Sequence, residues 1–131
     1  MRRMKKEKFH IEYVLDKVSR SSLWNHLTTK YGLEQWFADN VTLEKNIYTF
    51  SWGKEEKEKA EIVDFKNEIY IRLRWLTDTD PNAYIEFIIR SIELTGTISL
   101  EITDFAEAEE KADSIELWDL SVDRLKRSLG I

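Results

Sequence analysis

Residues 113–130 read D-S-I-E-L-W-D-L-S-V-D-R-L-K-R-S-L-G. Ile115, Trp118, Val122, Leu125 and Leu129 recur at steps of three and four, which places them in one stripe along an α-helix. Glu116, Asp119, Asp123 and Lys126 fall on the opposite side. Asp113 followed by Glu116 has the spacing of a capping box, and Gly130 stands where a helix stops in the left-handed conformation. This is the one long amphipathic helix the pattern predicts. Most of residues 40–105 reads as strand, so the stripe needs a sheet to cover it.

Working back from that helix, the strands announce themselves by alternation. Phe9, Ile11, Tyr13 and Leu15 share one side of a first strand, with Lys8, His10 and Glu12 opposite. Tyr48, Phe50 and Trp52 share a face, and Ala60 and Ile62 continue an inward one. Then come Ile69, Ile71, Leu73 and Trp75; Ile85, Phe87 and Ile89; and Ile98, Leu100 and Ile102. Outward positions include Tyr70, Arg72, Arg74, Glu86, Arg90, Thr97, Ser99, Glu101 and Thr103. A two-residue turn is expected at Lys66 and Asn67, because asparagine tolerates positive φ. That turn suggests Ile62 opposite Ile71 with Glu61 facing Arg72, and Leu73 opposite Phe87 with Arg74 facing Glu86.

Between the first strand and the rest lie two short helices. Ser19 is the expected N-cap of the first, which carries Leu23, Trp24 and Leu27. The second is expected over residues 33–37, with Gly32 as the break between them. Two helices here are too long for a hairpin turn, so they should pack on the sheet or close its open end. No strand-helix-strand alternation runs through the chain, which excludes a doubly wound parallel sheet.

At 131 residues the chain is read as one domain over 1–131, with residues 1–6 as a mobile basic tail. It has no cysteine, which excludes disulfide frameworks and thiolate zinc sites and suits the cytoplasm. No apolar run approaches the ~18 residues a membrane span needs. The net charge is −5, with basic residues gathered at 2–8 and acidic ones at 101–123. An acidic body repels phosphate backbones, so no nucleic-acid partner is expected. The acidic segment is read as solvated loop and helix face.

The words F-H-I-E-Y-V-L at 9–15, G-L-E-Q-W-F-A-D at 32–39, F-S-W at 50–52, Arg74-Trp75, T-D-F-A at 103–106 and L-K-R-S-L-G at 125–130, taken in order, carry a resemblance. The chain resembles the START-like (SRPBCC, helix-grip) superfamily. Within it, it is most similar to the small START-like proteins of Bacteroidetes, which are related to activators of the heat-shock-90 chaperone ATPase. The resemblance implies an α+β helix-grip fold: a curved antiparallel sheet of six or seven strands around the C-terminal helix. It also implies a cavity between helix and sheet, of the kind in which superfamily members bind lipids, sterols or polyketide-like molecules. It carries over no catalytic residue.

The chemistry legible in the residues is sparse. His10 and His26 have no carboxylate at metal-ligand spacing, there is no phosphate-binding glycine loop, and no nucleophile motif stands out; no metal and no cofactor are expected. Asp39 and Asp104 adjoin aromatic residues near element ends, where burial raises a carboxyl pKa. Their alternative is a turn or capping role. The richer signal is aromatic. Trp36, Phe37, Tyr48, Phe50, Trp52, Trp75, Phe87 and Trp118 are expected to converge inward, either as packed core or as the wall of an apolar pocket, with Ser121 on the helix leaving room for a ligand. The leading expectation is therefore a non-catalytic binding module for an apolar or amphipathic small molecule. A protein-interaction module related to the chaperone-ATPase activators comes second, and a cyclase- or hydrolase-type enzyme third. A homodimer through Tyr70 and Ile88 on the outer sheet face is a further expectation.

Overall fold

The computed structural model describes residues 5–131. Strand β1 (Glu7–Val14) is followed by helices α1 (Arg20–Thr28) and α2 (Lys30–Leu33). Strands β2 (Asn40–Glu44), β3 (Ile47–Trp52), β4 (Glu56–Lys66), β5 (Tyr70–Trp75), β6 (Ile85–Ile92) and β7 (Thr97–Ala106) come next. A 3₁₀ turn (Ala108–Glu110) leads into α3 (Lys111–Leu129). The seven strands form one antiparallel sheet in the order β1-β7-β6-β5-β4-β3-β2. Each consecutive pair from β2 to β7 is a hairpin, and β1 closes on β7. The sheet curves around α3, whose Trp118, Val122 and Leu125 are buried against it. This is the expected α+β architecture.

Because β1 and β2 are opposite edges, the chain between them must travel the width of the sheet, on the order of 30 Å if the sheet were flat. Helices α1 and α2 make that crossing and cover one end of the concave face. Ser19 caps α1 by accepting from the Ser22 N–H at 3.2 Å. The Arg20 guanidinium donates to the Glu68 carbonyl and to Ser91, pinning the start of α1 to the β4–β5 turn and β6. At the other end of α1, orphan carbonyls are taken by buried donors. The indole of Trp36 donates to the His26 carbonyl at 2.7 Å, and the Tyr48 phenol to the Thr28 carbonyl at 2.6 Å.

The second helix lies earlier than its pattern suggested: α2 is Lys30–Leu33, and residues 34–37 continue as a turn. Gly32 is inside it, buried, rather than between two helices. The reason is contact. A Cβ at position 32 would stand 2.1 Å from the Asn25 carbonyl oxygen, so only glycine lets α2 lie on α1. The long helix also begins earlier than its capping-box spacing implied. Glu110 is the N-cap and makes no side-chain capping bond, because the 3₁₀ turn feeds straight into α3. Gly130 ends it at φ 80°, as expected.

The strand faces follow the alternation, but both hairpin registers differ from the expected ones by two residues. Ile62 lies opposite Leu73, Glu61 opposite Arg74, Leu73 opposite Ile85 and Arg72 opposite Glu86. In the β4–β5 hairpin, a bulge at Val63 and a longer turn account for the shift. Residues 67–69 form that turn, with Glu68 rather than Asn67 at positive φ, so Ile69 sits in the turn and is partly exposed. A shift of two preserves parity, which is why the inward residues within the strands keep their face; Ile69, expected inward, is the exception.

Several outward residues are nevertheless buried: Glu86, Ser99, Glu101 and Thr103. Strands β6 and β7 are central, and long side chains from neighbouring strands roof them. His10 bridges Thr103 and Glu101, Arg90 pairs with Glu101, and Arg72 pairs with Glu86 at 2.9 Å while lying over the Tyr84 ring. Glu101 therefore belongs to a buried polar network, not to a solvated acidic stretch. The basic tail expected over residues 1–6 falls outside the described residues at 1–4. At Lys6 the chain is held: its N–H donates to Asp80 and its ammonium pairs with Asp78 at 3.0 Å.

Candidate functional site

The inward series of β7 is Ile98, Leu100, Ile102, Asp104 and Ala106. A carboxylate thus takes a core position at the end of the sheet that α1 and α2 do not cover. Across from it, α3 presents Trp118, whose indole donates to Asp104 at 2.9 Å. The Phe105 N–H donates to the other carboxylate oxygen at 2.7 Å. Burial pushes the Asp104 carboxyl up to about 6. The Phe105 and Trp118 hydrogen bonds and the Lys6 charge pull the other way without overcoming it, and Asp78 adds to the rise.

Asp104 and Trp118 open onto a cleft of about 460 Å³ between α3 and the sheet. Phe37 from the turn after α2, Trp52 at the end of β3 and Trp75 at the end of β5 complete its aromatic wall. These rings hold one another. Phe37 lies nearly parallel to Trp75, with centroids 6.5 Å apart, and meets Trp52 edge-on at 5.9 Å. The Trp52 indole donates to the Phe37 carbonyl at 2.8 Å, so the ring is fixed by both packing and hydrogen bonding. Ser114, Leu117, Ser121 and Arg124 of α3 form the other rim, with Glu56 on β4 and Ile85 on β6.

The expected aromatic residues therefore divide. Phe37, Trp52, Trp75, Trp118 and Ser121 line the cleft. Trp36, Tyr48, Phe50 and Phe87 are buried in the packed core behind it and take no part in the lining. Burial pushes the Tyr48 phenol up to about 12, in keeping with a group sealed under α1. Leu117 and Arg124 carry no signal in the apolar stripe of α3, but one was present beside it. Ser114, Leu117, Ser121 and Arg124 also step by three and four, forming a second line down the helix flank.

The remaining candidates have structural partners. Asp39 accepts from the Gly53 N–H at 2.6 Å and so ties the entry to β2 to the β3–β4 turn. His26 lies 2.8 Å from the Ser22 carbonyl and 2.7 Å from the Ser128 hydroxyl. A carbonyl only accepts, so Nδ1 donates to Ser22, and Nε2 hydrogen-bonds the Ser128 hydroxyl, joining α1 to α3. Among the described residues, no three acidic or histidine side chains are placed to share a metal ion. No helix among them is long and apolar enough to cross a membrane.

Comparison with known proteins places this architecture. The model of the START-like superfamily domain matches residues 3–131. A protein of Bacteroides fragilis, known from its solution NMR structure, is 46% identical over 95% of this chain and 92% of its own, with a TM-score of 0.68. The Aha1 dimer from Colwellia psychrerythraea superposes with a TM-score of 0.80 at 15% identity, over 95% of this chain and 97% of that one. DynU16, from the dynemicin biosynthetic locus, does so with a TM-score of 0.78 at 15% identity, over 94% of this chain and 47% of its own. At such identities the last two show the fold alone. Comparison with the curated proteins finds no match. Because that family model matches residues 3–131, nearly the whole length, the chain belongs to the START-like superfamily.

Proposed function

We propose that this protein is a non-catalytic binding module for an amphipathic small molecule, held in the cleft between α3 and the uncovered end of the sheet. The observation that carries the reading is unfilled space against aromatic faces. Phe37, Trp52, Trp75 and Trp118 border an opening of about 460 Å³, the scale of ordinary ligand sites, while the core beside it is closed. Ser114 and Ser121 are small enough to leave that opening clear. No histidine lines it, and both histidines are engaged elsewhere, which favours binding over catalysis. The lack of cysteine suits a role in the cytoplasm.

Native mass spectrometry of freshly purified protein, without detergent or refolding, tests the reading. The expected result is a bound species of a few hundred daltons, lost on denaturation. A clean apo mass, with no uptake of added amphiphiles, overturns it.

One observation favours a second reading, a protein-interaction module or homodimer. On α3, Leu117 at the cleft rim and Leu120 stand 65% and 53% exposed. The structural neighbour solved as an Aha1 dimer is a relative in which self-association of this fold occurs. Light scattering at high concentration tests the homodimer, which a monomer removes and a dimer abolished by Leu117→Lys supports; a pull-down that recovers no stable partner counts against the interaction module.

A further inference from the structure

The charge around the cleft is lopsided. Besides Asp104 and Glu56, a second cleft adjoins the first along Trp52 and Trp75, and it is bordered by Glu58, Asp78, Glu107 and Glu110. Two cations face these six carboxylates, Lys6 and Arg124. Lys6 is already paired with Asp78. Arg124 is exposed on the α3 rim, where water and salt screen it. Asp104 is half-buried against Trp118, so water screens its charge less than that of the exposed Glu56. The rings of Phe37, Trp52 and Trp75 line the same cleft, and aromatic faces attract cations, not anions.

From this arrangement we infer that the ligand carries a positive charge: an organic amine or quaternary ammonium whose apolar body lies along Phe37, Trp52 and Trp75, with its cationic group toward Asp104. The inference rests on the binding reading above and narrows it to one charge class. A fatty-acid-like anion would place its carboxylate against the half-buried carboxylate of Asp104 and the field of its neighbours, which costs affinity however good the apolar contact is. A neutral amphiphile would gain the apolar contact alone.

Three probes of equal chain length separate these terms: decyltrimethylammonium, decanoate and decanol, each titrated below its micelle concentration by calorimetry. The expected order is cation, then alcohol, then carboxylate, with the cation at least about tenfold tighter than the carboxylate. Glu56→Gln, at an exposed position, should narrow that ratio without touching the fold. Asp104→Asn, checked by its melting curve, should abolish the cation's advantage while decanol binds as before. If decanoate binds as tightly as the cation while decanol also binds, the charge inference is overturned and the binding reading stands. If none of the three binds, both fall.

Discussion

At one end of the concave face, Trp36 and Tyr48 hand their donors to carbonyls of α1, and both rings are sealed. At the other end, Trp52 and Trp118 hand theirs to the Phe37 carbonyl and to Asp104, and both rings border open space. All four are aromatic side chains with a single donor, gathered on the same concave side of the sheet. What differs is the covering element. Helices α1 and α2 bring carbonyls and the apolar side chains Leu23, Leu27 and Leu33 over one end, while only α3, with serines on its flank, faces the other. An aromatic cluster becomes core or cleft wall according to what lies above it.

That contrast is open to a direct break. Phe87 is fully buried and touches the rings of Trp36, Phe37 and Trp118, so Phe87→Ala should cost about 3–5 kcal/mol in urea unfolding. Next in size, Gly32→Ala should cost about 1–3 kcal/mol, because the new methyl meets backbone that cannot rotate away. Loss of hydrogen-exchange protection confined to α1 and α2 would show that the lid is what gives way.

Trp52→Ala should cost less, about 1–2 kcal/mol, since the ring is only half-buried, yet it should weaken decyltrimethylammonium binding more than any core truncation that still folds. A Trp52→Ala protein that loses stability but keeps the probe's affinity would move Trp52 from the cleft wall into the core, and the contrast between the two ends would fail there.

The smallest effect is in pH. The Asp104 carboxyl is raised to about 6 in the folded chain, against about 3.9 for an unfolded aspartate. Between these values the folded state holds more protons than the unfolded one. Stability should therefore fall as pH rises from about 4 to about 6 and level off above, by about 1–2 kcal/mol in all, below the roughly 3 kcal/mol of the full shift because solvent reaches the half-buried carboxyl. Lys6 and Asp78, which also face the group, act in opposite directions and leave the sign to burial. Unfolding measured across that window should show the fall in the parent protein and its loss in Asp104→Asn. Identical slopes in both proteins would mean the carboxyl is not penalised by burial.

Much of this was legible before any coordinates. The α3 stripe, the Ser19 cap, the Gly130 stop and the inward parity of β1 and of β3 to β7 are local properties: 3.6 residues per turn and two per pleat fix which way a side chain points. Asp104 could have been read the same way, since it continues the parity of Ile98, Leu100 and Ile102. Register was not legible, because it depends on a bulge at Val63 and a three-residue turn that leave no mark in the alternation. Nor was the burial of Glu86 and Glu101, which follows from their place on central strands beneath Arg72, Arg90 and His10. The amino-acid sequence by itself determined which faces are apolar and that one helix must lie in a curved sheet. Only the tertiary structure decided which aromatics are sealed and which border a cleft, because that depends on how far α1 and α2 reach across the sheet, a distance set by packing and not by periodicity.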